Sequence, residues 1–174
     1  EIQQLMNLST FGQLGEDLDV PFPQANNFLR ILDLLNLLAE GPKTRREIAL
    51  NYGFDERQAD YYYNALRYLG YAEKRYRGGP AEITDKGKYI FQRKDTKQGK
   101  LEIIKDITAS KVFAECLQQT LQQGKIISQE DVSEIIGKYR GDLNINRTTK
   151  NRRASTVREW INWILNIATE DEII

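Results

Sequence analysis

Residues 44–70, TRREIALNYGFDERQADYYYNALRYLG, restrict the fold of this chain more than any other stretch. Thr44 followed by Glu47 has the spacing of a capping box, in which each residue satisfies the other's free amide, so a helix opens there. Ile48, Ala49 and Leu50 are its expected inward residues. Asn51-Tyr52-Gly53 reads as a turn, because glycine enters the left-handed backbone region without a Cβ clash. Phe54 is the expected anchor under that turn. Asp55 is placed to cap a second helix over residues 56–69, and Gly70 stops it. Ala59, Tyr62 or Tyr63, Leu66 and Leu69 give that helix a buried stripe. Arg57, Gln58, Asp60, Tyr61, Asn64 and Arg67 fall on the other side. The rest of the chain must pack against this pair of helices, extend it, or repeat its pattern.

Upstream, residues 1–20 form a weakly patterned lead-in with a loop around Gly12 and Gly15. Pro21 and Pro23 hold the chain extended. Asn26 or Asn27 then caps an apolar helix whose Phe28, Ile31, Leu32, Leu35 and Leu38 share one face; Gly41-Pro42 ends it. Downstream, residues 71–76 and 81–84 flank Arg77-Gly78-Gly79-Pro80 and read as a β-hairpin carrying Lys74, Arg75 and Arg77. Thr84 opens a short helix with Tyr89, Ile90 and Phe91, and the polar run 92–100 reads as a linker. Four helical segments follow. Residues 100–107 bury Leu101, Ile104 and Ile107, and residues 111–123 bury Val112, Phe113, Cys116, Leu117 and Leu121. The third opens at the capping box Ser128 to Asp131 and holds Val132, Ile135 and Ile136, with Gly137, Gly141 and Asp142 in the loop beyond. The last covers 151–167, with Val157, Trp160, Ile161, Ile164 and Leu165 inward. The expected fold is mainly α with a small β-hairpin wing: a winged helix-turn-helix, in two tandem helical, winged-helix-like subdomains. Their bounds are 1–20 for the lead-in, 21–95 for the first domain and 96–174 for the second.

Composition removes most chemistries. The chain has no histidine and one cysteine, Cys116, which excludes His-based acid–base work, intramolecular disulfides and a transition-metal site. No run is apolar and long enough to span a membrane, and the first residues do not make a signal peptide, so a soluble, cytoplasmic protein is expected. The chain begins with Glu rather than Met, which reads as a piece of something longer. Net charge is zero, yet the charges are segregated. Lysine and arginine exceed acidic residues by six in 41–100 and again by six in 138–158, and acidic residues prevail in the three remaining blocks. Local rather than total charge sets attraction to phosphate, so each basic block is a candidate contact for double-stranded DNA.

The first candidate site is Arg57, Gln58, Tyr61, Asn64 and Arg67. Arginine can form a bidentate pair with guanine, and Gln or Asn can with adenine. Lys74, Arg75 and Arg77 on the hairpin suit phosphates, which fix register without reading bases. The second site is Arg147, Thr149, Lys150, Arg152, Arg153 and Ser155, near a helix N-terminus whose amides and dipole favour anions. Trp160 and Trp163 are expected in the core. Asp95-Thr96-Lys97 matches the tail of a magnesium-nuclease motif, but it stands in the linker and only Glu82 and Asp85 are offered as acidic partners. No catalytic residue, metal ligand or cofactor is assigned.

The strings FDERQADYYYNALRYLG, AEITDKGK and TTKNRRASTVREWINWI resemble a module attached to bacterial type II restriction endonucleases and related nuclease-associated proteins. The resemblance covers about residues 21–167. It implies a tandem winged-helix-like DNA-binding module. Arg57, Gln58, Tyr61 and Asn64 fall in its first motif, and Arg152, Arg153, Ser155 and Thr156 in its second. It places the cleavage domain, with any magnesium, elsewhere in a longer polypeptide. The function expected is target recognition in restriction–modification. A transcriptional regulator and a protein-interaction winged helix without DNA contact are the alternatives, and a homo-oligomer is compatible with each.

Overall fold

In the computed structural model, residues 11–12, 19–143 and 146–170 are described. Among them eight α-helices hold about 70% of the described residues, with one two-stranded antiparallel sheet. They form two compact units, Asp19–Gly99 and a second from Lys100 onward, which Phe11 and Gly12 join. Gly15 of the expected lead-in loop lies outside the described residues. Gly12 has φ +63 and donates its N–H to the Thr108 carbonyl at 2.8 Å, within the second unit.

The first unit is built around helix α1 (Phe28–Ala39), capped by Asn27, whose Oδ1 accepts from the Arg30 amide. Phe28, Ile31, Leu32, Leu34, Leu35 and Leu38 are all buried, so the apolar stripe is wider than its spacing suggests. Helix α2 (Arg45–Tyr52) carries the capping box in full: the Glu47 amide donates to Thr44 Oγ1, and the Thr44 amide to Glu47 Oε1. Gly53 turns the chain at φ 68. Helix α3 (Glu56–Leu69) is capped by Asp55 and closed by Gly70 at φ 83. Helix α1 packs on α3, on strand β2 (Glu82–Ile83) and on helix α4 (Asp85–Arg93). Phe54 ties the turn to this core by stacking between Tyr52 and Tyr62, and elsewhere the buried Phe22 meets Tyr68 edge-on.

Strand β1 (Ala72–Glu73) pairs with β2 in the register Ala72 to Ile83 and Glu73 to Glu82. The expected hairpin is therefore far shorter than 71–76 and 81–84, and the residues between the strands make an open loop. Ala81 instead pairs antiparallel with Lys43, in a bridge ahead of α2 that the sequence does not announce. At Gly87 an added Cβ would lie 2.2 Å from the Tyr71 carbonyl oxygen, so α4 reaches the chain ahead of β1 only because that position lacks a side chain.

Three further expectations are corrected. Leu50 is 72% exposed rather than inward, because the eight-residue α2 has only Ile48 and Ala49 on its buried side. The polar run 92–100 does hold the boundary between the two units, between Gly99 and Lys100, but it is not an extended linker: α4 continues to Arg93 and helix α5 (Lys97–Thr108) begins after three residues. Thr96 makes that junction, donating to the Arg93 carbonyl and accepting from the Gly99 amide. Gly137 lies inside helix α7 (Gln129–Tyr139), not in a loop.

The second unit packs helix α6 (Lys111–Gln123) and α7 against helix α8 (Arg147–Glu170). Phe113 stacks on Trp160 at 5.1 Å between centroids, at the centre of a core that also holds Ile103, Ile104, Val132, Val157 and Ile161. Leu101, Leu121 and Leu165 are half-buried rather than inward. A buried hydroxyl joins α6 to the turn after it, since Thr120 Oγ1 donates to the Cys116 carbonyl and accepts from the Ile127 amide. No strand occurs among the described residues of this unit. No described helix is long and apolar enough to cross a membrane.

Candidate nucleic-acid interface

On α3, Arg57 is exposed and donates Nε–H to the Tyr61 hydroxyl at 2.7 Å, with its guanidinium 5.6 Å from the Tyr61 ring centroid. One helical turn separates the two, so they support each other as a pair at the surface. Gln58 and Arg67 are exposed and Asn64 is half-buried. Tyr63 is buried beneath Lys74, whose ammonium stands 4.4 Å from the ring centroid; burial pushes the Tyr63 phenol upward in pKa. In the loop between the strands Arg77 is exposed, whereas Arg75 is paired with Glu82 at 2.8 Å. Tyr76 beside them is among the most exposed aromatic side chains described.

The same helix carries acids. Arg45 of α2 reaches both, with Nη1 3.0 Å from Glu56 Oε2 and Nη2 2.7 Å from Asp60 Oδ2, and its Nε donates to Asp60 Oδ1. A planar guanidinium can hold two carboxylates at once, which an ammonium does less well. Arg45 therefore offsets the negative charge of the α3 N-terminal half. Its only sequence signal is an arginine directly after a helix cap, with two acids four residues apart on the next helix.

Helix α8 begins at Arg147 rather than near 151. Asn146 caps it, accepting from the Thr149 amide at 2.8 Å. Arg147 and Lys150 thus occupy the first turn and are exposed, while Thr149 is half-buried with its amide already engaged. Arg152, Arg153 and Ser155 stand in the second and third turns, half-buried and beyond the helix end where the dipole is strongest. Arg153 Nη1 donates to the Leu143 carbonyl at 3.1 Å, so this side chain fastens the preceding 3-10 turn (Gly141–Leu143). Arg158 likewise serves the fold, donating to the Ile127 carbonyl. Just before that turn, at the end of α7, stands a further arginine that spacing does not reveal. Arg140 is 2% exposed and grips Asp142 with two hydrogen bonds, and this holds the Asp142 carboxyl below its usual range.

Beside these residues lies a cleft of about 300 Å³ between α7, the 3-10 turn and α8. The cysteine is buried and burial raises its thiol, so Cys116 is not poised as a nucleophile. Among the described residues no group of three or more acidic or cysteine side chains could hold a metal ion.

A family model for a domain of unknown function, DUF7226, matches residues 30–169, and the chain belongs to that family. No curated protein and no solved structure matches it.

Proposed function

We propose that the chain binds double-stranded DNA, as the target-recognition module of a restriction endonuclease whose cleavage domain lies in the same parent polypeptide. The observation that carries this reading is the run α2, Gly53 turn, α3, hairpin. A short capped helix and a left-handed turn present a longer helix bearing Arg57, Gln58, Asn64 and Arg67, and a hairpin with Lys74 and Arg77 follows. Such an order is that of a winged helix-turn-helix, whose second helix enters the major groove. Arg57 and Gln58 would read base edges, with Arg67, Lys74 and Arg77 on phosphates. Arg147 and Lys150 provide a separate phosphate contact on the other unit.

Selection from a randomised duplex pool tests the reading. Enrichment of a motif by the intact chain, lost in Arg57→Ala/Gln58→Ala, is the expected result. Arg147→Ala should weaken all duplexes alike and lower the salt slope of log K by about 1. No duplex affinity at low salt would sink the proposal.

A protein-interaction role is the second reading. It is favoured by Leu29 and Leu50, exposed at 69% and 72%, and by the acidic Glu56 and Asp60 on the same helix as Arg57. It requires binding that persists as salt rises, whereas phosphate contacts weaken steeply.

A further inference from the structure

We propose that the cleft between α7 and α8 is a nucleotide-binding pocket, admitting one base with its phosphate. Its volume, about 300 Å³, is at the small end of the roughly 300–1,000 Å³ spanned by ligand pockets, which suits a mononucleotide and not a larger cofactor. The walls are of two kinds. Ile136, Leu143 and the bare backbone at Gly137 offer an apolar surface for a flat ring. Arg140 lines the same space; it is 2% exposed and fixed by its two bonds to Asp142, so it contributes positive charge rather than a face open for stacking. At the rim Ser133 offers a hydroxyl and Glu134 a carboxylate, which match the donors and acceptors of a base edge. Lys150 and Arg153 supply positive charge for the phosphate.

Gly137 is the second observation. It sits within an eleven-residue helix, where glycine is less stable than alanine, and an added Cβ would meet nothing within 4 Å. Packing therefore does not demand glycine there. Gly137 lines the cleft, so a large side chain there would take up part of its space.

The nucleotide can come from two sources that share this chemistry: a free mononucleotide, or a nucleotide displaced from a duplex. Only the second rests on the DNA-binding reading. Titration of the ¹⁵N-labelled intact chain with AMP, GMP, CMP and TMP, followed by amide shifts, tests the pocket itself. Shifts at Gly137, Leu143 and Lys150 are expected, with binding weakened about tenfold in Lys150→Ala and weaker still for inorganic phosphate alone. Gly137→Leu should abolish the shifts while leaving the rest of the amide spectrum in place. No shift with any of the four nucleotides, or shifts that survive Gly137→Leu, would overturn the proposal. A duplex with one bulged nucleotide then separates the sources. Tighter binding than to a perfect duplex, lost in Gly137→Leu, assigns the displaced nucleotide; mononucleotide binding with no bulge preference assigns the free one. Mononucleotide binding without any duplex affinity leaves the pocket standing and sinks the DNA reading.

Discussion

Arg45 decides whether α3 presents a positive or a negative face, because Glu56 and Asp60 lie along the same helix as Arg57. Exposed ion pairs contribute about 0–1 kcal/mol to stability, so Arg45→Ala should barely move the unfolding midpoint. Binding is another matter. Removing the guanidinium leaves two carboxylates beside incoming phosphates, at about 1 kcal/mol for each close pair in water, so duplex affinity should fall about thirtyfold. The triple change Arg45→Ala/Glu56→Gln/Asp60→Asn should restore it; fluorescence anisotropy with a labelled duplex reads both. Asp142 offers a test in pH. Its carboxyl is held low by the hydrogen bonds from Arg140, so the folded state binds its proton less readily than the unfolded chain does. The stabilisation is therefore present above the unfolded value, about 3.9, and is lost as pH falls through the lower folded value. Denaturant unfolding at stepped pH should show stability declining below about pH 4, and Asp142→Asn should remove part of that decline.

At the scale of elements, two glycines with equally open surroundings should respond in opposite directions to alanine. Gly53 has a left-handed backbone, so Gly53→Ala should cost about 1 kcal/mol although no atom is struck. Gly137 is helical, so Gly137→Ala should stabilise by about 0.5–1 kcal/mol. Urea melts of the two variants compare them directly. These elements also show what the sequence could reveal. Asp55, Thr44 and Ser128 mark their helix starts because capping is a local bond between residues three apart. Gly53 and Gly70 mark ends for a similarly local reason. The Lys43–Ala81 bridge, the Gly87 contact and the Arg45 fork are tertiary, joining residues with no short-range signature. Asn146 is legible in principle, as a cap three residues before Thr149, but the basic run after it carries no apolar periodicity and the stripe becomes regular only beyond 151. Leu50 misled because apolar character alone does not orient a residue on a two-turn helix. For the candidate site, the exposed faces of Arg57, Gln58 and Arg67 follow from periodicity, whereas the inward turn of Arg153 depends on a carbonyl ten residues away.

On the scale of the whole molecule, each unit owns a separate set of buried aromatics. Both tryptophans, Trp160 and Trp163, belong to α8 in the second unit, and Trp160 is stacked on Phe113. Eight of the nine tyrosines lie between residues 52 and 89, in the first unit. The chain thus carries two native optical reporters. Emission excited at the red edge follows the helical core around Trp160 alone, while tyrosine absorbance near its own maximum is weighted toward the α3 side. Titrating a duplex or a mononucleotide while watching both colours therefore reveals which half of the protein responds first, with no label attached.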